Sequence, residues 1–233
     1  MRDRVTKRYS WLLFDADGTL FDYDRAESLA LTETFQAFEV PFEGQYLDTY
    51  RRINQELWRA LERREISSSA LPVRRFELLA HTLNLACSPD RMSSVYLERL
   101  ALAVDLIDDA QDLLRTLHST CRMAIVTNGF ESVQRSRLAN SVIRDYITEL
   151  IISEEVGAAK PKPAFFAAAF ARLGDPDKSE VLLIGDSLTA DMQGGADYGV
   201  DTCWYNPSGE IRPDDLQITY EITRLRDLLE VLD

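Results

Sequence analysis

The sequence predicts an α/β fold: a doubly wound, Rossmann-like parallel sheet with a helical domain inserted after its first strand. Short, continuous apolar runs recur along the chain, as is typical of strands that a parallel sheet buries on both faces. Helical patterns separate most of these runs, which indicates right-handed strand–helix–strand crossovers. Between the first run and the second, residues 15–121 carry no strand pattern. That long stretch predicts the helical insert.

The first strand is predicted at Trp11 to Phe14, with Tyr9 just before it. Four more strands are predicted at RMAIVT (122–127), TELIIS (148–153), VLLIGD (181–186) and DTCWY (201–205). Helices are predicted before and between them at DDAQDLLRTLHS (108–119), ESVQRSRLANS (131–141), PAFFAAAFARLG (163–174) and TADMQGGADYG (189–199). The last segment, residues 219–233, predicts a short strand and a closing helix.

The insert is predicted to be a set of helices, because apolar side chains recur at helical spacing in four segments. Phe76, Leu79 and Leu83 are one example. The four segments are 24–38, 43–64, 69–86 and 90–103. We therefore expect an α/β core formed by residues 1–21 and 104–233, and a helical cap formed by residues 22–103.

The bulk composition excludes several classes of partner. The 233 residues carry a formal net charge of −13, which argues against nucleic acid polymers and anionic membranes. Cys87, Cys121 and Cys203 lie far apart and are odd in number, so no disulfide framework is expected. The first ten residues are charged and precede no apolar run, so no signal peptide is predicted. These features predict a cytoplasmic protein. We also expect a small-molecule substrate and a monomer or weak homodimer.

Two carboxylates follow the first predicted strand at once. Asp15 and Asp17 are one residue apart, and Gly18 and Thr19 come next. Carboxylates crowded at the end of a buried strand repel one another and lose solvation. We therefore expect positive charge at this place, where the ligands of open α/β sheets bind.

Other strand ends deliver polar groups to the same edge. The second strand ends in TNG, residues 127–129, and Asp186 follows the fourth strand. Asp191 lies about one helical turn further on, where an acid in a first turn is also favoured by the helix dipole. The loop before the fourth strand offers Lys160 and Lys162, which compete for one role.

This set of residue types suits phosphoryl transfer to a carboxylate. One aspartate attacks phosphorus, and a second hands a proton to the leaving oxygen and then activates water. Mg²⁺ takes oxygen ligands, so Asp15 and Asp186 fit it. A hydroxyl, backbone amides and a lysine ammonium hold the remaining phosphate oxygens. Thr127 and Asn128 also suit the cap of the helix that begins near Glu131, and both interpretations stay open.

Four motifs in order, DADGT, TNG, KPKP and GDSLTAD, resemble those of the haloacid dehalogenase (HAD) superfamily of phosphohydrolases. The resemblance implies a HAD core with a cap after strand one. It implies that Asp15 is the nucleophile and that Asp17 is the acid/base, whose backbone carbonyl binds Mg²⁺ or a substituting Mn²⁺. Asp186 is then the direct metal ligand, and Asp191 fixes the metal or its water. The implied phosphate-binding residues are Ala16, Thr127, Asn128, Gly129 and Lys160, with Thr127 and Lys160 also counted as catalytic.

A longer likeness covers most of the chain. LFDADGTLFDYD, INQELW, IVTNGF, ISEEVGAAKPKP, GDSLTADMQGG and DTCWYN together resemble the noncanonical pyrimidine 5′-nucleotidases. The resemblance implies hydrolysis of pyrimidine nucleoside monophosphates, with the cap selecting the substrate. Asn54 and Trp58, within INQELW, are the candidate cap residues for substrate contact, although Trp58 also fits a core position.

Other functions remain open at the level of sequence. A phosphatase or phosphomutase acting on a sugar phosphate uses the same chemistry, and a mutase differs in shielding its intermediate from water. A dehalogenase is disfavoured, because its chemistry does not need the acid at Asp17. A receiver module of signalling proteins also clusters acids, but it is smaller and lacks the insert. An inactive relic is expected to have lost an acid, and none is missing here.

Overall fold

The computed structural model describes residues 9–63 and 65–232, with the side chain of Glu62 also outside the description. Most of the charged N-terminal segment that bears on the signal-peptide prediction, and Arg64 at the end of a predicted helix, therefore lie outside the described residues. Within the described residues, no helix combines the length and apolar character needed to cross a membrane.

Six strands in the described part of the chain form one sheet in which every pairing is parallel. The strands are β1 (Trp11–Phe14), β2 (Arg122–Thr127), β3 (Glu149–Ile152), β4 (Val181–Gly185), β5 (Asp201–Tyr205) and β6 (Tyr220–Ile222). Their order is β3-β2-β1-β4-β5-β6. The order reverses direction at β1, which makes the sheet doubly wound and confirms the predicted fold class.

The helices of the core cover both faces of this sheet. They are α5 (Ala110–Leu117), α6 (Glu131–Asn140), α7 (Ser153–Val156), α8 (Pro163–Leu173), α9 (Gly194–Tyr198) and α10 (Leu228–Leu232). Because side chains alternate along a strand, Trp11 and Leu13 pack with the α8 phenylalanines on one face. Leu12 and Phe14 pack with the leucines of α5 on the other face. Burial on both faces explains why the strands are continuously apolar.

The structure divides into two compact units, Met1–Tyr23 with Val104–Asp233, and Asp24–Ala103. The first boundary falls after Tyr23, where the sequence predicts it after residue 21. The described residues of the second unit lie mainly in α1 (Tyr23–Ala37), α2 (Gly44–Glu62), α3 (Leu71–Leu83) and α4 (Pro89–Leu102).

A buried arginine organises the interior of the second unit. The Arg75 guanidinium lies 4.6 Å from the ring centre of Tyr96 and 5.9 Å from that of Tyr50. Its Nη1 donates to Asn54 Oδ1 over 3.4 Å, and Asn54 Nδ2 donates to Glu27 Oε1 over 3.3 Å. The aromatic faces and this polar chain compensate for burying the charge.

One predicted helix differs in form from its prediction. The segment 189–199 is predicted as one helix, but Leu188–Gln193 forms a π-helix that leads into α9. The Ser187 hydroxyl accepts from the amide of Ala190 over 3.1 Å, and its carbonyl accepts from two later amides. The wider turn brings the Asp191 carboxylate back to the amide of Ser187, 3.2 Å away. Such π segments occur often at functional sites.

Candidate active site

The sheet order places three strand ends side by side. β1 lies between β2 and β4, and all three run parallel. Asp15 therefore follows the central strand, with Thr127 at the end of β2 on one side and Asp186 after β4 on the other. These residues stand far apart in the sequence, and the shared direction of the strands brings them to one edge.

Lys160 joins this edge from the loop between α7 and α8. Its Nζ donates to Asp15 Oδ1 over 2.5 Å, to Asp191 Oδ1 over 2.6 Å and to the Val126 carbonyl over 2.8 Å. The side chain is buried. Burial opposes the positive charge, but Asp15 and Asp191 outweigh it and raise the pKa of Lys160 above its ordinary value. The ammonium is therefore held charged between two carboxylates.

The Asn128 side chain fixes the backbone of this lysine. Its Nδ2 donates to the Lys160 carbonyl over 2.9 Å, and its Oδ1 accepts from the Lys160 amide over 2.9 Å. This reciprocal pair joins the end of β2 to the lysine loop. The sequence predicted Asn128 to bind phosphate or to cap a helix and did not identify this side-chain contact. Lys162, the competing lysine, is partly exposed and directly precedes α8.

The acids outnumber the cation at the centre of the site. One carboxylate oxygen from each of Asp15, Asp186 and Asp191 lies within 4.8 Å of the other two. Burial raises the pKa of Asp15 well above its usual range, with Lys160 acting against the shift. Desolvation, followed by the charge of Asp191, raises the pKa of Asp186 to about 7, although the residue as a whole is exposed. Among the residues that the structure describes, three acids meet one lysine here, and this excess of negative charge favours a bound cation whose ligands could be the carboxylate oxygens, as Mg²⁺ accepts.

Two glycines make room for these acids. Gly18 has φ +81°, and an added Cβ would lie 2.7 Å from Asp186 Oδ2. A Cβ at Gly185 would collide with the carboxyl group of Asp191. Both positions therefore need glycine for space, and Gly18 also needs it for backbone conformation.

Further contacts orient Asp186. The Thr19 hydroxyl donates to Asp186 Oδ1 over 3.3 Å. The indole Nε1 of Trp204, which is buried on β5, donates to the Asp186 carbonyl over 3.0 Å. The role of Trp204 was missed from the sequence, where DTCWY indicates only a strand.

The predicted phosphate-binding groups lie at the same strand ends. Thr127 is buried, and its hydroxyl accepts from the Gly129 amide over 3.0 Å. Ala16 is buried between Asp15 and Asp17, and its carbonyl accepts from the amides of Leu20 and Phe21. Thr127 lies at the end of β2, and the Lys160 ammonium reaches the ends of β1 and β2 through Asp15 and the Val126 carbonyl. Their binding of phosphate stays a prediction.

Asp17 points its carboxylate toward α6 and not toward Lys160. Gln134 Nε2 donates to Asp17 Oδ2 over 2.6 Å, and Arg137 Nη1 donates to Asp17 Oδ1. The sequence did not identify these partners. The available signal was their spacing of three residues on the helix after TNG, which places both on one helical face.

The two candidate substrate residues of the second unit lie on α2. Asn54 is buried, and its amide takes part in the Glu27–Asn54–Arg75 chain described above. Trp58 is partly exposed on the same helix. Their contact with a substrate stays a prediction.

The haloacid dehalogenase-like hydrolase family matches residues 9–199 of the chain. The pyrimidine 5′-nucleotidase YjjG of Escherichia coli is 33% identical over 97% of this chain and 98% of its own. The pyrimidine 5′-nucleotidase PynA of Streptococcus pneumoniae is 36% identical, covering 97% of this chain and 95% of its own. The crystal structure of the HAD-hydrolase YfnB of Bacillus subtilis bound to magnesium matches this structure with a TM-score of 0.92 at 35% identity. The match covers 97% of this chain and 100% of the YfnB chain.

The chain belongs to the haloacid dehalogenase-like hydrolases, and the expected family and the expectation of an enzyme are confirmed. The predicted likeness to pyrimidine 5′-nucleotidases is confirmed as a similarity to two proteins of that name.

Proposed function

We propose that this hydrolase is a Mg²⁺-dependent phosphomonoesterase that acts on pyrimidine nucleoside 5′-monophosphates. The observation that carries the reaction is the buried Lys160 ammonium between Asp15 and Asp191, with Asp186 beside them. The observation that favours the substrate is full-length similarity to two pyrimidine 5′-nucleotidases.

Asp15 is the proposed nucleophile. Its carboxylate oxygen forms a bond to phosphorus while the bond from phosphorus to the ester oxygen breaks, which gives an aspartyl-phosphate and a nucleoside. Water then attacks phosphorus, releases phosphate and restores the carboxylate. Lys160, which contacts Asp15 directly, keeps the carboxylate oriented and offsets negative charge on the phosphate oxygens.

Asp17 is the proposed acid and base. It gives its proton to the departing ester oxygen and takes one back from the attacking water, so the site returns to its starting state. Thr127 and the amides after it would hold the other phosphate oxygens. The assignment is supported by position, one residue beyond the nucleophile at the same strand end.

The oxygens of Asp15 and Asp186, with Asp191 supporting them and the Asp17 carbonyl supplied by the backbone, are the proposed Mg²⁺ ligands. The ion would supply positive charge that stabilises the transferring phosphoryl group. The proposal of a Mg²⁺ site is supported by the excess of negative charge at Asp15, Asp186 and Asp191 and by the magnesium bound in the YfnB structure.

Selection of the base is proposed to come from the unit Asp24–Ala103. The core groups named above recognise phosphate and metal, which every nucleoside monophosphate shares. Hydrogen bonding to a pyrimidine edge can reject other bases strongly, because a wrong base leaves buried polar groups unpaired. The second unit is the part of the chain that is available for that task.

A phosphate-release screen tests the proposal. With Mg²⁺ present, UMP, dUMP and dTMP should exceed AMP and GMP in kcat/KM, by about tenfold or more. Equal hydrolysis of purine nucleotides, or preference for a sugar phosphate, would overturn the nucleotidase assignment and leave the phosphatase. Absence of steady turnover of p-nitrophenyl phosphate would overturn the phosphatase.

A cytoplasmic location and a monomeric or weakly dimeric state are part of the proposal. The three cysteines are free thiols, Cys121 and Cys203 buried and Cys87 partly exposed, which suits a reducing compartment.

A further inference from the structure

We propose that Gln134 and Arg137 are positioning residues for Asp17, forming a clamp that sets the direction in which this carboxylate can exchange a proton. The inference rests on the proposed function, because it assigns a task to residues that touch the proposed acid and base. The name "Asp17 clamp" is used below for Gln134 and Arg137 together.

The clamp engages both oxygens of one carboxylate. Arg137 donates to Oδ1, and Gln134 donates to Oδ2 over 2.6 Å. Two donors on separate oxygens fix both the side-chain torsions and the plane of the carboxylate, where one donor would leave rotation free. Asp17 is about a quarter exposed in its side chain, so without the clamp it could turn toward water.

Burying the Arg137 side chain costs free energy of folding, so a stabilising role alone does not explain its position. Its side chain is fully buried, while its ionic partner is partly exposed. Burying a guanidinium requires desolvation, and such pairs are weak evidence for a stabilising role. The Arg137 guanidinium also lies 4.4 Å from the ring centre of Phe21, and the Phe21 carbonyl accepts from the Gly18 amide over 3.0 Å. Arg137 thus fastens α6 to the loop that carries Asp17.

Gly129, which follows β2, leaves the space that the Gln134 side chain occupies. A Cβ added at Gly129 would collide with Gln134 Nε2 and would lie 3.0 Å from its Cδ. The Gln134 side chain therefore crosses the Gly129 backbone on its way to Asp17. This independent observation links the TNG segment to the clamp. On this account, Gly129 leaves space for a positioning side chain as well as offering an amide.

The test compares substrates with poor and good leaving groups. A nucleotide needs a proton on its leaving oxygen, whereas p-nitrophenolate departs readily without one. A variant that misdirects Asp17 should therefore lower kcat for UMP more than kcat for p-nitrophenyl phosphate. We expect Gln134→Met and Arg137→Met each to lower the UMP to p-nitrophenyl phosphate ratio of kcat by about tenfold, a part of the usual general-acid effect.

Three controls separate positioning from general damage. Arg135→Met removes a neighbouring arginine of α6, which pairs with Glu131 and Glu155, and should leave the ratio unchanged. Arg137→Lys keeps the charge and should recover part of the ratio. Adding Gln134→Met to Asp17→Asn should change the ratio by less than about twofold further, since coupled residues are not additive.

The outcomes distinguish a failure of the Asp17 clamp from a failure of the proposed role of Asp17 as acid and base. If Asp17→Asn lowers the ratio and the clamp variants do not, the clamp is overturned and the proposed acid stands. If Asp17→Asn leaves the ratio unchanged, the assigned role of Asp17 and the clamp both fall. The clamp is also overturned if its variants lower kcat equally for UMP and p-nitrophenyl phosphate. It is overturned as well if adding Gln134→Met to Asp17→Asn lowers the kcat ratio further by about twofold or more. If Arg137→Met does not fold, Gln134→Met and Arg137→Lys decide the matter.

Discussion

At the residue scale, Asp15 and Asp17 share a strand end but contact different cations and differ in burial. Asp15 is buried against the Lys160 ammonium, while Asp17 turns to the guanidinium of Arg137 on α6. Two identical side chains one residue apart are therefore held by different cations on different elements. This separation suits a division of work between a nucleophile and an acid.

Asp15→Asn should reduce kcat by at least about 10³-fold, because an amide oxygen is a poor nucleophile toward phosphorus. The fold should persist, since asparagine has the same shape. Phosphate release from UMP and p-nitrophenyl phosphate is the measurement, with circular dichroism as the check on folding. Asp145→Asn is the matched control, being exposed and paired with adjacent Arg144. Retention of wild-type turnover in Asp15→Asn would refute the nucleophile.

Asp17→Asn should impair nucleotides more than p-nitrophenyl phosphate. The amide cannot supply the proton that a poor leaving group requires, and its single oxygen can still accept from one of the two α6 donors. The ratio of kcat values for the two substrates is the measurement. An identical loss for both would remove Asp17 from the role of general acid.

At the element scale, the strand β5 contributes to the site through one indole. Trp204 on β5 donates to the carbonyl of Asp186, which follows β4. The π-helix after Asp186 then returns Asp191 to the same place. Trp204 holds the backbone of Asp186 and Asp191 holds that of Ser187, so two successive residues of the loop that carries a proposed metal ligand are fixed.

Trp204→Phe should weaken metal binding by about tenfold, because outer contacts of this kind orient the ligand. The concentration of Mg²⁺ giving half-maximal activity is the measurement. Trp11→Phe is the control, since Trp11 is equally buried at the opposite end of β1. Both variants should lower the melting temperature, and only Trp204→Phe should shift the Mg²⁺ requirement. A shift of equal size in both would contradict the local role.

At the scale of the whole molecule, a chain of net charge −13 is proposed to hydrolyse an anionic substrate. Long-range attraction does not assist such binding. Recognition of phosphate must then come from local positive charge, which the site provides through Lys160 and the proposed metal. Activity should depend on the metal for this reason.

Chelation with EDTA should abolish activity, and excess Mg²⁺ or Mn²⁺ should restore it. Ca²⁺ should restore it poorly, because its larger and looser coordination shell does not hold the in-line geometry. The measurement is phosphate release after chelation and re-addition of each ion. Full activity in EDTA would refute metal dependence.

Trp58→Ala tests the proposed task of the second unit. The residue is partly exposed on α2, so its removal should disturb the fold less than removal of buried Asn54. We expect a change in the UMP to AMP ratio of kcat/KM by a factor of about five or more, with p-nitrophenyl phosphate spared. An unchanged ratio would remove Trp58 from base selection.

Much of the architecture was determined by sequence alone. β1, β2 and β5 form where apolar runs predict them, because strands buried on both faces must be apolar throughout. The four motifs also identified the acids, threonine and lysine that the structure brings to adjoining strand ends. Their chemical roles stay predictions, since position and contacts do not by themselves measure catalysis.

Only the tertiary structure decided how these groups are paired. The family resemblance favoured Lys160 over Lys162, and the fold shows what Lys160 contacts, since its ammonium lies between Asp15 and Asp191. The spacing of Gln134 and Arg137 places both on one face of α6, but it does not say that this face meets Asp17, and DTCWY gives no sign that its indole meets Asp186. Each contact joins residues far apart in the chain, and such contacts depend on strand order, which hydrophobic periodicity does not encode.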